Sequence, residues 1–105
     1  MTVFNFTPHA IHICDGDGAV QRTIEPSGLV RLKATTVVAG QIDGIPVTAT
    51  EFGQSEGLPE FQAGTYYIVS QLVKSALAFR TDLLVPAEVV RDSQGMIVGC
   101  KSLGI

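Results

Sequence analysis

The sequence predicts a mostly β fold of the α+β type: a small curved sheet, sandwich or barrel with one helix packed on it near residues 70–79. Three observations point there. Eleven glycines and five prolines among 105 residues cut the chain into short pieces. Most pieces alternate apolar and polar residues with the period of two that a half-buried strand requires. Only one stretch carries apolar residues at helical spacing. Seven to nine short strands separated by regular turn signals fit one β-rich domain over residues 1–105.

Taken in order, Ala10-Ile11-His12-Ile13-Cys14 places Ile11 and Ile13 on one face and His12 and Cys14 on the other. Asp15-Gly16-Asp17-Gly18 supplies the positive φ of a hairpin turn, and Val20 to Ile24 returns as the next strand. Glu25-Pro26-Ser27-Gly28 predicts a second turn. Val30, Leu32 and Ala34 then alternate with Arg31 and Lys33, predicting a half-buried strand with a basic wet face. Thr35 to Val38 either continues that strand or bends away from it.

Asp43-Gly44, between Gln41-Ile42 and Ile45–Thr50, is another hairpin signal. Pro46 cannot donate to a ladder and belongs on an edge or beside a bulge. Phe52 to Phe61 predicts a surface loop. Thr65–Val69 is strongly β-prone and predicts a central strand. Ser70 fits a helix N-cap, with Leu72, Val73, Ala76 and Leu77 as one apolar stripe and an end near Phe79. Leu83–Pro86 and Glu88–Arg91 follow, then a turn at Asp92–Gly95 and a last strand over Met96–Cys100.

The composition narrows the function classes. Charged residues are 16% and hydrophobic ones 46%, enough to build a core and unlike a disordered chain. A net charge of −3 lacks the basic footprint of nucleic-acid binding, so no nucleic-acid partner is expected. No apolar run approaches the ~20 residues of a spanning helix, so no membrane partner is expected. Met1 leads into Thr2–Phe6 without a charged and then apolar leader, which predicts a cytoplasmic setting. Cys14 and Cys100 are then expected as free thiols.

Familiar reactive constellations do not form. His12, Cys14 and Cys100 lack the paired spacing of a zinc site, and neither a metal nor another cofactor is expected. Counting a calcium loop from Asp15 puts Ala19 and Pro26 where oxygen ligands belong. No G-x-S-x-G elbow, phosphate loop or dinucleotide fingerprint occurs. No catalytic residue is therefore assigned, and a binding protein is expected before an enzyme.

Two clusters stand out as ligand-binding candidates. Arg80-Thr81-Asp82 falls between helix and strand, where Arg80 can clamp a phosphate or carboxylate and Asp82 can accept from a ribose or amine. The plain alternative is an arginine closing the helix end and an aspartate holding a turn. Asn5, Thr7 and His9 form the second cluster, in Asn5-Phe6-Thr7-Pro8-His9. Pro8 forces an extended entry, and His9 can bond a ligand or tie the N-terminal strand down. Arg91 completes the set as a basic strand residue able to join a pocket across an oligomer interface.

Asn5-Phe6-Thr7-Pro8-His9-Ala10-Ile11 resembles the "N-L-T-P-H" opening of a family of small phage and bacterial proteins, with Phe6 in place of the usual Leu. The resemblance continues at Ile45-Pro46-Val47, Tyr67–Ser70, Arg80–Pro86, Val90-Arg91-Asp92, Gly95 and Ile97–Leu103, and so covers most of the chain. It carries no assigned activity. It implies a phage-type protein in a host cytoplasm, a setting in which several unrelated small proteins act as sponges for nucleotide-derived immune signals. The resulting expectation is a homo-oligomer that sequesters a small anionic ligand without turning it over. The alternatives are a protein-interaction or assembly factor, which an exposed apolar edge strand carrying Val47 would favour, and a small nucleotide hydrolase or lyase.

Overall fold

The computed structural model describes all residues, Met1–Ile105, as eight strands and one short helix. Strands β1 (Thr2–Asn5), β2 (Ile11–Cys14), β3 (Val20–Ile24), β6 (Thr65–Ile68), β7 (Leu83–Arg91) and β8 (Ile97–Gly104) form one sheet in the order β1-β6-β7-β8-β2-β3. Its parallel pairs are β1–β6, β6–β7 and β2–β8, and its antiparallel pairs are β2–β3 and β7–β8. The two edges of this sheet meet. Asn5 of β1 bridges Pro26, two residues beyond β3, and the Ser27 amide donates to the Asn5 carbonyl at 2.8 Å. The sheet thereby curls into a small barrel joined at one bridge, while Val20–Thr23 of β3 stay exposed along its edge. Pro26-Ser27 therefore belongs to an extended, bridged segment and not to the expected turn.

The helix α1 (Gln71–Ala76) is the crossover between parallel strands β6 and β7. Ser70 caps it, its hydroxyl accepting from the Val73 amide at 3.3 Å. It is shorter than expected, and of the predicted stripe only Val73 and Leu77 are buried, while Leu72 is 53% exposed. Val73 and Leu77 join Val30, Tyr67, Val69 and Leu83 in one core cluster, with Phe6, Leu32 and Leu58 packed against it. The Phe6 ring meets Tyr67 edge-on at 5.2 Å, and Phe4 stacks on Tyr67 at 6.1 Å. A second buried set, Asn5, Cys14, Ile24, Ile68 and Cys100, lies on the barrel strands outside that cluster. Cys14 and Cys100 are both free thiols. Gly99 lets β8 approach β2, since a Cβ there would stand 2.6 Å from Cys14 Sγ and 2.9 Å from the His12 carbonyl oxygen.

The remaining strands, β4 (Arg31–Ile42) and β5 (Ile45–Glu56), pair only with each other. Asp43 and Gly44 have φ of 53° and 74°, the type I′ geometry that suits a two-residue hairpin turn. Two register shifts, at Leu32/Ala34 and Val38/Gly40, bend the ribbon. Twelve residues per strand extend roughly 35–40 Å. This arm explains the molecular extents of 53 × 39 × 19 Å and a radius of gyration of 16.9 Å, against about 13 Å for a compact domain of this size.

Two expectations are corrected here. Residues 30–34 alternate as expected only at their start: Val30 is buried in the core, Leu32 packs against it and Arg31 and Lys33 are exposed, but Ala34 is exposed because the ribbon leaves the body there. Phe52–Glu56 is strand, not loop; the loop begins at Gly57. Gly57 has φ of 94°, and any side chain there would collide with the Leu29 carbonyl.

Candidate functional site

The six candidate residues fall into three separate structural groups. The first is a knot at the barrel seam. Asn5 is fully buried and donates from Nδ2 to the carbonyls of His9, at 2.7 Å, and Ile24, at 3.0 Å. Its Oδ1 accepts from the Thr7 amide at 2.9 Å. The Thr7 hydroxyl lies 2.6 Å from Asn5 Oδ1 and 2.9 Å from the His9 carbonyl oxygen, and its single hydrogen serves one of them at a time. Asn5 therefore ties β1, the β1–β2 connection and the end of β3 together, and its side chain faces no solvent. The motif's polar atoms close the barrel.

Arg80 and Asp82 form the second group. Arg80 Nε donates to Asp82 Oδ1 at 2.8 Å and Nη2 to Oδ2 at 2.6 Å, a bidentate pair. Nη2 also donates to the Pro59 carbonyl at 3.0 Å, fastening the 57–64 loop to the start of β7. The Asp82 side chain is 1% exposed and that of Arg80 17%. The hydrogen bond from Arg80 holds the Asp82 carboxyl below its ordinary value against the opposing effect of burial, and Asp82 raises Arg80 in turn. This is neither an open ligand clamp nor the plain helix-end alternative: the Arg80 side chain bonds no helix carbonyl and instead ties Asp82 to the Pro59 carbonyl. It leaves Asp82 no open side from which to receive a ribose or amine.

Arg91 is the third, at the opposite end of β7, where Nη1 donates to the Gly95 carbonyl at 2.8 Å and closes the β7–β8 hairpin.

His9 alone among the six opens onto a sizeable concavity. A groove of about 510 Å³ is lined by His9, Ala10, Ile11 and His12 from the β2 side, Pro86 of β7, and Ile97 to Cys100 of β8. Both histidines of the chain line it. His12 Nδ1 lies 3.0 Å from Thr23 Oγ1; when that hydroxyl donates, Nε2 carries the ring hydrogen. Ile97 and Val98 remain 57% and 44% exposed on the groove wall. Cys100 lies beneath, 1% exposed, and burial pushes its thiol up, away from the reactive thiolate. The groove thus offers an apolar wall with two imidazoles and no charged side chain. Sequence reasoning singled out His9 but missed the groove; the available signal was the apolar Ile97-Val98 pair, whose neighbours only the β2–β8 pairing supplies.

The second feature with functional character is the arm. Along both strands only Leu32, Val47 and Ser55 are partly covered, and Val38, Ile42 and Ile45 are 74%, 69% and 63% exposed. The one ion pair on it, Lys33 Nζ to Glu56 Oε1 at 3.3 Å, sits at its base and is open to solvent. Between Lys33 and Glu51 the sequence has a single charge, Asp43. No helix is long and apolar enough to cross a membrane. Comparison with known protein families, curated proteins and solved structures gives no match to this chain.

Proposed function

We propose that this is a non-enzymatic interaction protein that assembles with further copies of itself through the β4–β5 arm. One observation carries the reading: a long two-stranded ribbon projects from a small barrel with its apolar residues in water. An isolated hairpin is marginally stable at best. Native edge strands are ordinarily protected by charge or proline, yet β4 from Ala34 to Ile42 has neither. Such a strand is suited to being covered by another protein surface. The strand carrying Val47, whose exposure would favour an assembly factor, is β5 of this arm, exposed but for Val47 and Ser55, which are partly covered.

The test is mass-resolved chromatography of the full chain beside a variant in which residues 36–50 are replaced by Asn-Gly, so that the Thr35–Glu51 pair closes a short hairpin. The full chain is expected to elute at a multiple of 11.1 kDa. The shortened chain is expected as a folded monomer. A full chain that stays monomeric at every concentration overturns the reading.

A second reading retains the small anionic ligand, a nucleotide-derived signal sequestered in a host cytoplasm. The groove supports it, because a base can lie on its apolar wall between the His9 and His12 imidazoles. A thermal-shift screen against cyclic dinucleotides, cyclic ADP-ribose isomers and ordinary nucleotides tests it. A ligand at a hundred times its dissociation constant adds about 2.7 kcal/mol, and a flat panel removes this reading.

A further inference from the structure

We propose that the tip of the arm of one copy seats in the His9–His12 groove of the next. This rests on the assembly reading above and names the surface that receives the arm. The tip has the shape and chemistry of a plug. Ile42 and Ile45 are directly paired across the type I′ turn, so both side chains leave the ribbon on one face, and Val47 follows on that face two residues later. These three side chains make one apolar end, with Asp43 at the apex as its only charge.

The groove is the counterpart. Its wall of Ile11, Pro86, Ile97 and Val98 is apolar, with Ile97 and Val98 open to water. The two imidazoles supply N–H donors at the only place in the chain where histidines occur, and a carboxylate at the apex of a plug is the acceptor that suits them. The other acidic residues of the arm lie away from the tip, Glu51 near its middle opposite Thr35 and Glu56 at its base opposite Arg31.

Tip and groove are different surfaces, so the contact is heterologous. Each copy offers one plug and one socket, and repetition gives a closed ring or an open filament. Pairing of arm against arm would instead be isologous and stop at a dimer.

That difference decides the experiment. A plug variant, Ile42→Lys with Ile45→Lys, and a socket variant, Val98→Glu, are each purified as the full chain, and their mass and circular dichroism are measured. Each alone is expected to be a folded monomer. Mixed in equal amounts they are expected to form a 1:1 dimer of twice the monomer mass, because the intact tip of one fits the intact groove of the other. If Val98→Glu assembles like the unaltered protein while the plug variant is monomeric, the socket assignment is overturned and the assembly reading stands. If each variant is monomeric and the mixture stays monomeric too, the heterologous contact is overturned. If the unaltered chain is itself monomeric, both readings fall. Ile97→Glu, at the more exposed neighbour, replaces Val98→Glu should that variant not fold.

Discussion

The barrel and the arm are built from the same kind of strand and end in opposite states. In the barrel, the inner strands have neighbours on both sides and the two edges are drawn together where Asn5 meets Pro26, with no buried side-chain nitrogen or oxygen left without a partner. In the arm, two strands have only each other, and their apolar side chains face solvent. Alternation along a strand therefore describes a capacity to bury one face. Whether the face is buried depends on what lies opposite, and for the arm nothing in its own chain does.

The largest expected effect contrasts the two ion pairs. Breaking the Arg80–Asp82 pair by Asp82→Ala leaves a guanidinium with 17% exposure without its counter-charge. Truncating one member of such a buried pair costs about 3–5 kcal/mol. The Lys33–Glu56 pair, with side chains 64% and 60% exposed, is worth under about 1 kcal/mol, so Lys33→Ala should scarcely move stability. Urea unfolding followed by circular dichroism reads both. Equal effects would break the distinction between a body that carries the stability and an arm that does not.

Local chemistry was legible in the sequence; long-range placement was not. The Asp43-Gly44 turn, the Asp15–Gly18 turn, the Ser70 cap and the Thr65–Ile68 strand each follow from a few adjacent residues, and each appears where expected. The helix stripe is narrower than expected: Leu72 lies about 100° round the helix from buried Val73 and faces solvent. The half-buried face expected over Val30–Ala34 holds for Val30 and Leu32, which meet the core, and ends at Ala34, beyond which the chain supplies no covering layer. The polar motif from Asn5 to His9 drew attention for chemistry, whereas Asn5 sits inside the barrel seam. Its partners Ile24 and Pro26 lie about twenty residues on, joined to it by a β1-to-β3 closure that no local pattern announces. The groove was hidden for the same reason, since His12 and Val98 meet only through the parallel pairing of β2 with β8.

A smaller effect separates the regions by pH, because the groups whose titration is displaced all belong to the body. Asp82 lies below its ordinary 3.8 in the folded protein, so its contribution is complete above that value and is lost as pH falls through the folded one. Cys100 lies above its ordinary 9.0, so the unfolded chain ionises first and stability declines as pH rises past 9. Unfolding midpoints measured from pH 2 to 10 should therefore fall at both ends. Asp82→Asn should flatten the acid side and Cys100→Ala the alkaline side. An acid limb unchanged in Asp82→Asn would assign the acid sensitivity elsewhere.

The smallest effect on stability should accompany a measurable one on assembly. Val38 is 74% exposed on β4, and replacing it with Thr keeps the branched Cβ that suits a strand while removing apolar surface. Away from cores and caps such a change is expected to stay within about 0.5 kcal/mol. If the arm is covered by a second copy, the same substitution strips a contact from that interface, and the assembly should dissociate at a protein concentration several-fold higher than before. Light scattering over a dilution series reads the second quantity and urea unfolding of the dissociated protein the first. A loss of monomer stability without a change in assembly would mean that Val38 packs against its own chain, and the arm would then belong to the body after all.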